Sequence, residues 1–183
     1  EMATTYLADK KLILPDLRGH GESDASDGPY PMELLAADLA GLINYLEIKS
    51  AIICGHSMGG YAALAFAEQY PQMLAGLGLI TTNVEADDEV KRAGRYAQIN
   101  EINIKGSIAV ADSLAPRLSK IPVVIAWAHQ LISKANPNGL IGALEGMAAR
   151  LDRTHLLPKI NVPAIVVAGE LDQITDVNAS KIM

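Results

Sequence analysis

The sequence predicts an α/β protein with a parallel, doubly wound sheet that is flanked by helices and carries a helical cap insertion. Short β-rich apolar runs alternate with helix-like segments. The run Ser50–Gly55 shows almost no polar alternation, as expected of a parallel strand with both faces covered. Strand-like runs then disappear between Val84 and Pro158, where helical patterns follow one another. With 183 residues, half of them hydrophobic, the chain is expected to form one domain.

The first half of the chain predicts three strands and two helices. The strands are expected at Lys10–Pro15, Ser50–Gly55 and Leu74–Thr81, and the helices at 31–48 and 58–69. Leu35, Leu39 and Leu42 recur at helical spacing in the first helix, whose first turn suits Pro31. The second helix is expected to end at Tyr70, because a residue before proline disfavours helix.

The second half predicts four helices and one strand. The helices are expected at 87–100, 107–115, 122–135 and 140–150, and the strand at 163–170. Asn138 is a candidate cap of the fourth helix, and Asn136-Pro137 a break before it. This division predicts a core part over 1–83, a helical cap over 84–158 and a return to the core over 159–183, all within one domain.

Charge and composition exclude several classes of function. The net charge of −6 and the lack of long like-charge runs argue against nucleic acid or an anionic membrane as a partner. The single cysteine, Cys54, excludes an internal disulfide and a cysteine-based metal cluster. No apolar run reaches the roughly 18 residues of a membrane span, and residues 1–11 show no signal-peptide core. We therefore expect a cytoplasmic protein without a metal or cofactor.

A glycine-flanked serine lies between a predicted strand and a predicted helix. The motif, G-x-S-x-G and one further glycine, consists of Gly55, His56, Ser57, Met58, Gly59 and Gly60. A sharp strand-to-helix turn would hold Ser57 in a strained conformation and needs small neighbours, because other backbone approaches closely. The turn also places the Met58 N–H at a helix N-terminus, where it can stabilise an oxyanion. Ser57 is the candidate nucleophile.

Three motifs in order resemble the α/β-hydrolase family. "DLRGHGESD" (Asp16–Asp24) resembles the loop after the family's fourth strand, and "GHSMGG" (Gly55–Gly60) its nucleophile elbow. "VVAGELD" (Val166–Asp172) resembles its seventh strand and acid loop, and residues 84–158 stand where the family carries its cap. The subgroup that the chain most resembles is the small ester and lactone hydrolases, including enol-lactonase-like and non-haem perhydrolase-like members.

The resemblance implies Ser57 as nucleophile, Asp172 as the acid that orients a base, and the Met58 N–H as an oxyanion donor. A serine at this position disfavours the epoxide hydrolases and haloalkane dehalogenases of this fold, which carry aspartate there. Asp172 has an alternative interpretation as a surface turn residue near Asp176. The rival acid position, in the loop after the third predicted strand, carries Asn83 instead.

The family's catalytic histidine has no counterpart in the expected place. In the family the order is Ser, Asp, His, but no histidine follows Asp172. The four histidines, His20, His56, His129 and His155, all come earlier, and each is expected to be structural. For His20 the alternative is a place near the rim of the pocket, and His56 is expected to point away along the turn. A serine without its base loses about 10⁶ in kcat, which predicts very weak catalysis by this chain.

The resemblance also implies missing strands. The chain starts just before the family's fourth strand and stops before its last strand and helix, so we expect an internal fragment or a product shortened at both ends. The family's third strand lies between its fourth and fifth. Lys10–Pro15 would then pair directly with Ser50–Gly55, or another copy would fill the exposed strand edge and form a homo-oligomer.

These residues predict a serine hydrolase that cleaves a small carboxylic ester or lactone through an acyl-enzyme. Trp127 and Met147 are candidate pocket residues, with a core position as the alternative for both. A non-catalytic binding module of the same fold is the other class of function. A perhydrolase or C–C bond hydrolase would use the same residues.

Overall fold

The computed structural model describes Leu7 and residues 9–183. In chain order the described elements are α1 (Met32–Tyr45), β1 (Ala51–His56), α2 (Met58–Gln69), β2 (Leu74–Ile80), α3 (Glu89–Lys105), α4 (Ile108–Leu118), α5 (Pro122–Ser133), α6 (Pro137–Ala148), β3 (Ala164–Val167) and α7 (Val177–Ile182). Short 3₁₀ helices at Pro71–Met73 and Thr154–Lys159 precede β2 and β3. The predicted alternation of strands and helices is confirmed.

The three strands form a parallel sheet in the order β1-β2-β3. Ile53 pairs with Leu77 across the first pair of strands, and Leu79 pairs with Val166 across the second. Leu77 and Leu79 are buried at the centre of the core cluster, where α2 packs against β1 and β2, and α1 packs against α2. The carboxyl ends of all three strands therefore lie at one edge of the sheet.

The opposite face of the sheet is open in the part of the chain that the structure describes. Ile52 is 70% exposed and Ile165 is 60% exposed, and between them lie Gly76 and Gly78 of β2. The expectation that both faces of the strand at Ser50–Gly55, now β1, would be covered is thus wrong for the described residues. The apolar run alone did not distinguish one covered face from two.

Lys10–Pro15 forms no strand, so that prediction is wrong. A strand needs a neighbour for its backbone N–H and C=O groups. β1 pairs with β2 alone among the described strands, and the expected direct pairing of β1 with Lys10–Pro15 is not formed. This segment runs beside α1 instead, where a groove of about 640 Å³ separates the two.

Of the predicted helices only α2 has both ends where they were expected, and the others differ by up to five residues at an end. Pro31 is the N-cap of α1, not part of its first turn. Asn136 caps α6 because its side chain accepts a hydrogen bond from the Asn138 N–H at 2.9 Å, so Asn138 is not the cap. Pro137 is the first residue of this helix. Proline is tolerated there because the N–H group of the first helical residue has no partner within the helix.

A helical insertion, α3–α6, lies between β2 and β3 in the chain and has its own apolar cluster of Ile99, Ile102, Val110 and Leu144. Buried arginines close the connection to the core. Arg150 contacts Asp87 and the ring of Tyr61 on α2, and Arg153 contacts Glu33 of α1 and Glu68 of α2. The segment after α6 therefore contacts both the segment before α3 and the core helices α1 and α2.

Candidate active site

Ser57 lies in the sharp turn between β1 and α2. Its φ is 51° and its ψ is −117°, in a region that side-chain-bearing residues rarely adopt. The Ser57 N–H donates to the Ile80 carbonyl at the end of β2 at 3.0 Å, and the Ser57 carbonyl accepts from the Gly60 N–H at 2.9 Å. These bonds hold a half-buried serine at the carboxyl edge of the sheet.

The glycines of the motif are not equally constrained. A Cβ at Gly55 would lie 2.1 Å from the Gly59 carbonyl oxygen, and a Cβ at Gly60 would lie 2.5 Å from the Thr82 side chain. At Gly59 nothing lies within 4 Å of such an atom. The expected need for small residues therefore holds at Gly55 and Gly60, but not at Gly59, because the close approach comes from the first turn of α2 and from Thr82.

The Met58 N–H stands at the first position of α2. Backbone N–H groups at a helix N-terminus lack an acceptor one turn earlier and carry a partial positive charge. The neighbouring His56 is the last residue of β1 and is exposed. The turn thus offers a backbone donor directly beside the Ser57 side chain.

Asp172 lies in the loop after β3, at the same edge of the sheet. Its Oδ1 accepts hydrogen bonds from the Ile174 N–H at 2.7 Å and from the Thr175 N–H at 3.0 Å. The carboxylate thereby stabilises its own turn, as the surface-turn interpretation expects. Both bonds go to Oδ1, and Oδ2 accepts no hydrogen bond from the residues that the structure describes. Asp176 instead caps α7.

Asn83, which stands at the rival acid position, has a structural contact. Its Oδ1 accepts a hydrogen bond from Arg150 at 3.2 Å.

None of the four histidines is hydrogen-bonded to Ser57 in the described part of the chain. His20 Nδ1 lies 3.0 Å from the Arg18 carbonyl oxygen. His129 Nε2 lies 2.8 Å from Asp112, and His155 Nε2 lies 3.0 Å from Glu68. None of these histidines is therefore positioned as the general base that a nucleophilic serine requires.

The two candidate pocket residues lie in different environments. Trp127, on α5, is 63% exposed, whereas Met147, on α6, packs against both apolar clusters. The 640 Å³ groove beside α1 is lined by residues such as Ile13, Arg18 and Asp38, and not by Ser57. Among residues 7 and 9–183, no group of three or more histidine, cysteine or acidic side chains is placed to hold a metal ion.

Two threonines near the site were not anticipated from the sequence. The Thr82 hydroxyl donates to the Ser57 carbonyl at 2.9 Å, and the Thr175 hydroxyl donates to the Thr81 carbonyl at 3.1 Å. Thr82 follows the predicted strand Leu74–Thr81 directly, but neither its burial nor its contact with Ser57 shows in the local sequence, and Thr175 lies five residues beyond the predicted strand 163–170.

The whole described chain fits one family. Residues 6–183 match the Hydrolase_4 family, which is described as serine aminopeptidase, S33. The chain belongs to this family. An esterase from Thermogutta terrifontis has a similar structure, with a TM-score of 0.91 and 36% identity over 97% of this chain and 68% of that protein. The predicted α/β-hydrolase fold is thereby confirmed.

Enol-lactonases are also similar. The 3-oxoadipate enol-lactonase 2 of Acinetobacter baylyi is 28% identical over 94% of this chain and 66% of its own length. The enol-lactonase of Burkholderia xenovorans has a TM-score of 0.80 and 29% identity, over 91% of this chain and 65% of that protein. The chain thus spans about two thirds of the length of these relatives.

No described helix is both long and apolar enough to cross a membrane.

Proposed function

We propose that the protein is a serine hydrolase of small carboxylic esters or lactones, with Ser57 as the nucleophile. The observation that carries the proposal is the positive φ of Ser57 in a tight strand-to-helix turn. A strained serine is maintained only where the surrounding structure fixes it, and such strain concentrates at functional sites. Family membership and the esterase and enol-lactonase relatives support the same chemistry.

The positions of Ser57 and Asp172 support their assignment as nucleophile and acid. Ser57 follows β1 and Asp172 follows β3, the two strands that flank β2 in the parallel sheet. Ligands of open α/β sheets bind at this carboxyl edge. A base held between the two loops would reach the Ser57 hydroxyl on one side and Asp172 Oδ2 on the other, as the nucleophile–base–acid arrangement requires.

The reaction proceeds in two steps. Ser57 Oγ attacks the carbonyl carbon while the base takes the hydroxyl proton, and the Met58 N–H stabilises the oxyanion. The bond from the carbonyl carbon to the alcohol oxygen then breaks, and the leaving alkoxide takes the proton from the base. Water attacks the acyl-enzyme in the same way and releases the carboxylic acid and the free Ser57 hydroxyl.

We propose that the 183 residues alone catalyse this reaction very weakly. No histidine is hydrogen-bonded to Ser57 among the described residues, and loss of the base lowers kcat by about 10⁶. The same observation favours a second candidate, a non-catalytic module that keeps the fold and binds a small molecule. A perhydrolase or C–C bond hydrolase would rely on the same Ser57 and Asp172.

Chemical rescue tests the proposal on this chain. A fluorophosphonate probe should label Ser57 slowly, and added imidazole, which supplies a mobile general base, should raise the labelling rate in proportion to its concentration. Ser57→Ala should remove the imidazole-dependent labelling. Ser23→Ala, which changes an exposed serine, is the matched control and should label like the parent. Equal labelling of the parent and Ser57→Ala would instead favour the binding module.

A further inference from the structure

Two backbone segments of the proposed site meet at the dipeptide Thr81-Thr82, directly after β2. Thr82 is fully buried, and its hydroxyl donates to the Ser57 carbonyl at 2.9 Å. The Thr81 carbonyl accepts from the Thr175 hydroxyl in the acid loop at 3.1 Å. The next contact along this path is the bond from the Thr175 N–H to Asp172 Oδ1 at 3.0 Å. Hydrogen bonds, linked through the backbone of Thr81-Thr82 and through Thr175, therefore join the Ser57 turn to the Asp172 loop.

Backbone bonds reinforce this line on both sides. The Ser57 N–H donates to the Ile80 carbonyl at 3.0 Å, and the Thr81 N–H donates to the Val167 carbonyl at the end of β3 at 2.7 Å. Thr81 has a φ of 42°, a strained value for a β-branched residue. Such strain persists only where surrounding contacts over-determine the conformation, and the bonds on both sides of Thr81 do so.

We propose that Thr82 and Thr175 are positioning residues that set the separation between the Ser57 turn and the Asp172 loop. This inference rests on the proposed function, because the spacing matters only if one base must reach both side chains. Displacement of a catalytic group by about 1 Å can lower a rate by about 100-fold. Neither threonine touches the reacting atoms. Each acts through the loop that it holds.

The two hydroxyls are also matched to their surroundings. Thr82 and Thr175 are both buried, and a buried hydroxyl needs a partner. Thr82, after β2, donates to a carbonyl in the loop after β1, and Thr175, after β3, donates to a carbonyl in the loop after β2. Each hydroxyl thus joins its own loop to the loop of a neighbouring strand. The Thr82 side chain also fills the space beside Gly60, where a Cβ atom would lie 2.5 Å from it.

Amide hydrogen exchange, followed residue by residue, tests the bridge without any need for activity. Thr82→Val keeps the shape and removes the hydroxyl. It should speed exchange roughly tenfold, the factor set by one hydrogen bond, at Gly60 and also at Ile174 and Thr175, to which the Thr82 hydroxyl is not hydrogen-bonded. Thr82→Ser should restore slow exchange at all three.

The reciprocal variant and a control complete the test. Thr175→Val should speed exchange at Gly60, and the effects of the double variant should be less than the product of the single effects, as for coupled sites. Ser107→Ala removes a buried hydroxyl that donates to the Ala135 carbonyl within the insertion, and it should leave Gly60 and Thr175 unchanged. Faster exchange at Gly60 alone in Thr82→Val, or failure of Thr82→Ser to restore it, would overturn the proposal.

Labelling separates the bridge from the proposed function. If the parent shows imidazole-dependent labelling of Ser57, Thr82→Val and Thr175→Val should lower its limiting rate at least tenfold while the probe concentration at half-maximal rate stays unchanged. If the parent does not label, the proposed function fails, and the exchange data still decide whether the bridge exists.

Discussion

Arg150 and Asp87 form a buried ion pair, with 2.5 Å between a guanidinium nitrogen and Oδ1. The pair joins the segment after α6 to the segment between β2 and α3. Their side chains are 2% and 1% exposed. Arg150 also donates to the Glu85 carbonyl and to the Asn83 side chain. This single side chain therefore holds the segment between β2 and α3. Arg95 of α3 makes a second ion pair with Asp87. The insertion is thereby closed at its base.

Removal of one partner of this pair should be strongly destabilising. Arg150→Met keeps much of the side-chain volume but leaves the buried Asp87 carboxylate with Arg95 alone, and we expect a loss of about 3–5 kcal/mol in the free energy of unfolding. Denaturant unfolding measures it. Lys105→Met, which breaks an exposed pair with Glu101 on α3, is the control and should change stability by less than about 1 kcal/mol. Equal effects of the two variants would contradict this account.

The same carboxylate predicts a pH dependence of stability. Burial by itself raises the pKa of Asp87, but hydrogen bonds from Arg95 and Arg150 and their charges outweigh it and hold the pKa below its ordinary value. A depressed pKa in the folded state adds stability above the unfolded pKa of about 3.9, and that stability is lost as the pH falls through the folded pKa.

The difference in stability between the parent and Asp87→Asn should therefore be constant from about pH 7 to pH 5 and shrink below about pH 4. Denaturant unfolding across this range measures it, with Asp27→Asn, which changes an exposed carboxylate, as the control. A difference that grows on acidification would show that the sign is wrong.

Gly55 and Gly59 should differ in their tolerance of alanine. A methyl group at Gly55 would overlap the Gly59 carbonyl oxygen at 2.1 Å, and backbone cannot move aside as a flexible side chain can. Gly55→Ala should lower the free energy of unfolding by about 1–3 kcal/mol, as overpacking does. Gly59→Ala meets open space inside α2 and should be neutral or stabilising by up to about 1 kcal/mol. Unfolding of both variants under one condition decides between this order and its reverse.

How far the sequence predicted the structure depends on whether a local or a distant contact decides. Helix α2 was predicted from Met58 to Gln69, because Pro71 and the motif at Ser57 mark both ends locally. Lys10–Pro15 has the pattern of a strand, but strand formation also needs a partner, which local sequence does not specify. The helix predicted at 107–115 continues to Leu118 as α4, with Pro116 inside its last turn, although proline disfavours a helix interior.

The candidate site divides in the same way. Ser57 and Asp172 could be found from motifs, since their roles depend on short stretches with recognisable spacing. Thr82 and Thr175 could not, because their hydrogen bonds join loops that are 25 and 94 residues apart in the chain. The buried pair of Asp87 and Arg150 was missed for the same reason, since single charged residues in a sequence give no sign of burial.

The edge of β1 predicts self-association. β1 pairs only with β2 among the described strands, so its outer edge presents unpaired backbone groups, and Ile52 is 70% exposed beside that edge. Such an edge is a template for another chain. We expect the average mass in sedimentation to rise with concentration, and Ile52→Lys, which places a charge beside the edge, should keep the chain monomeric.

Val90→Lys is the matched control for that experiment, because Val90 is 82% exposed and belongs to α3 of the helical insertion and not to a strand. It removes a similar apolar surface and adds the same charge, so a general effect of charge on solubility would act on both variants equally. Association that persists in Ile52→Lys, or that Val90→Lys abolishes equally well, would rule out the β1 edge as the contact. A parent that stays monomeric at every concentration would rule out the association itself.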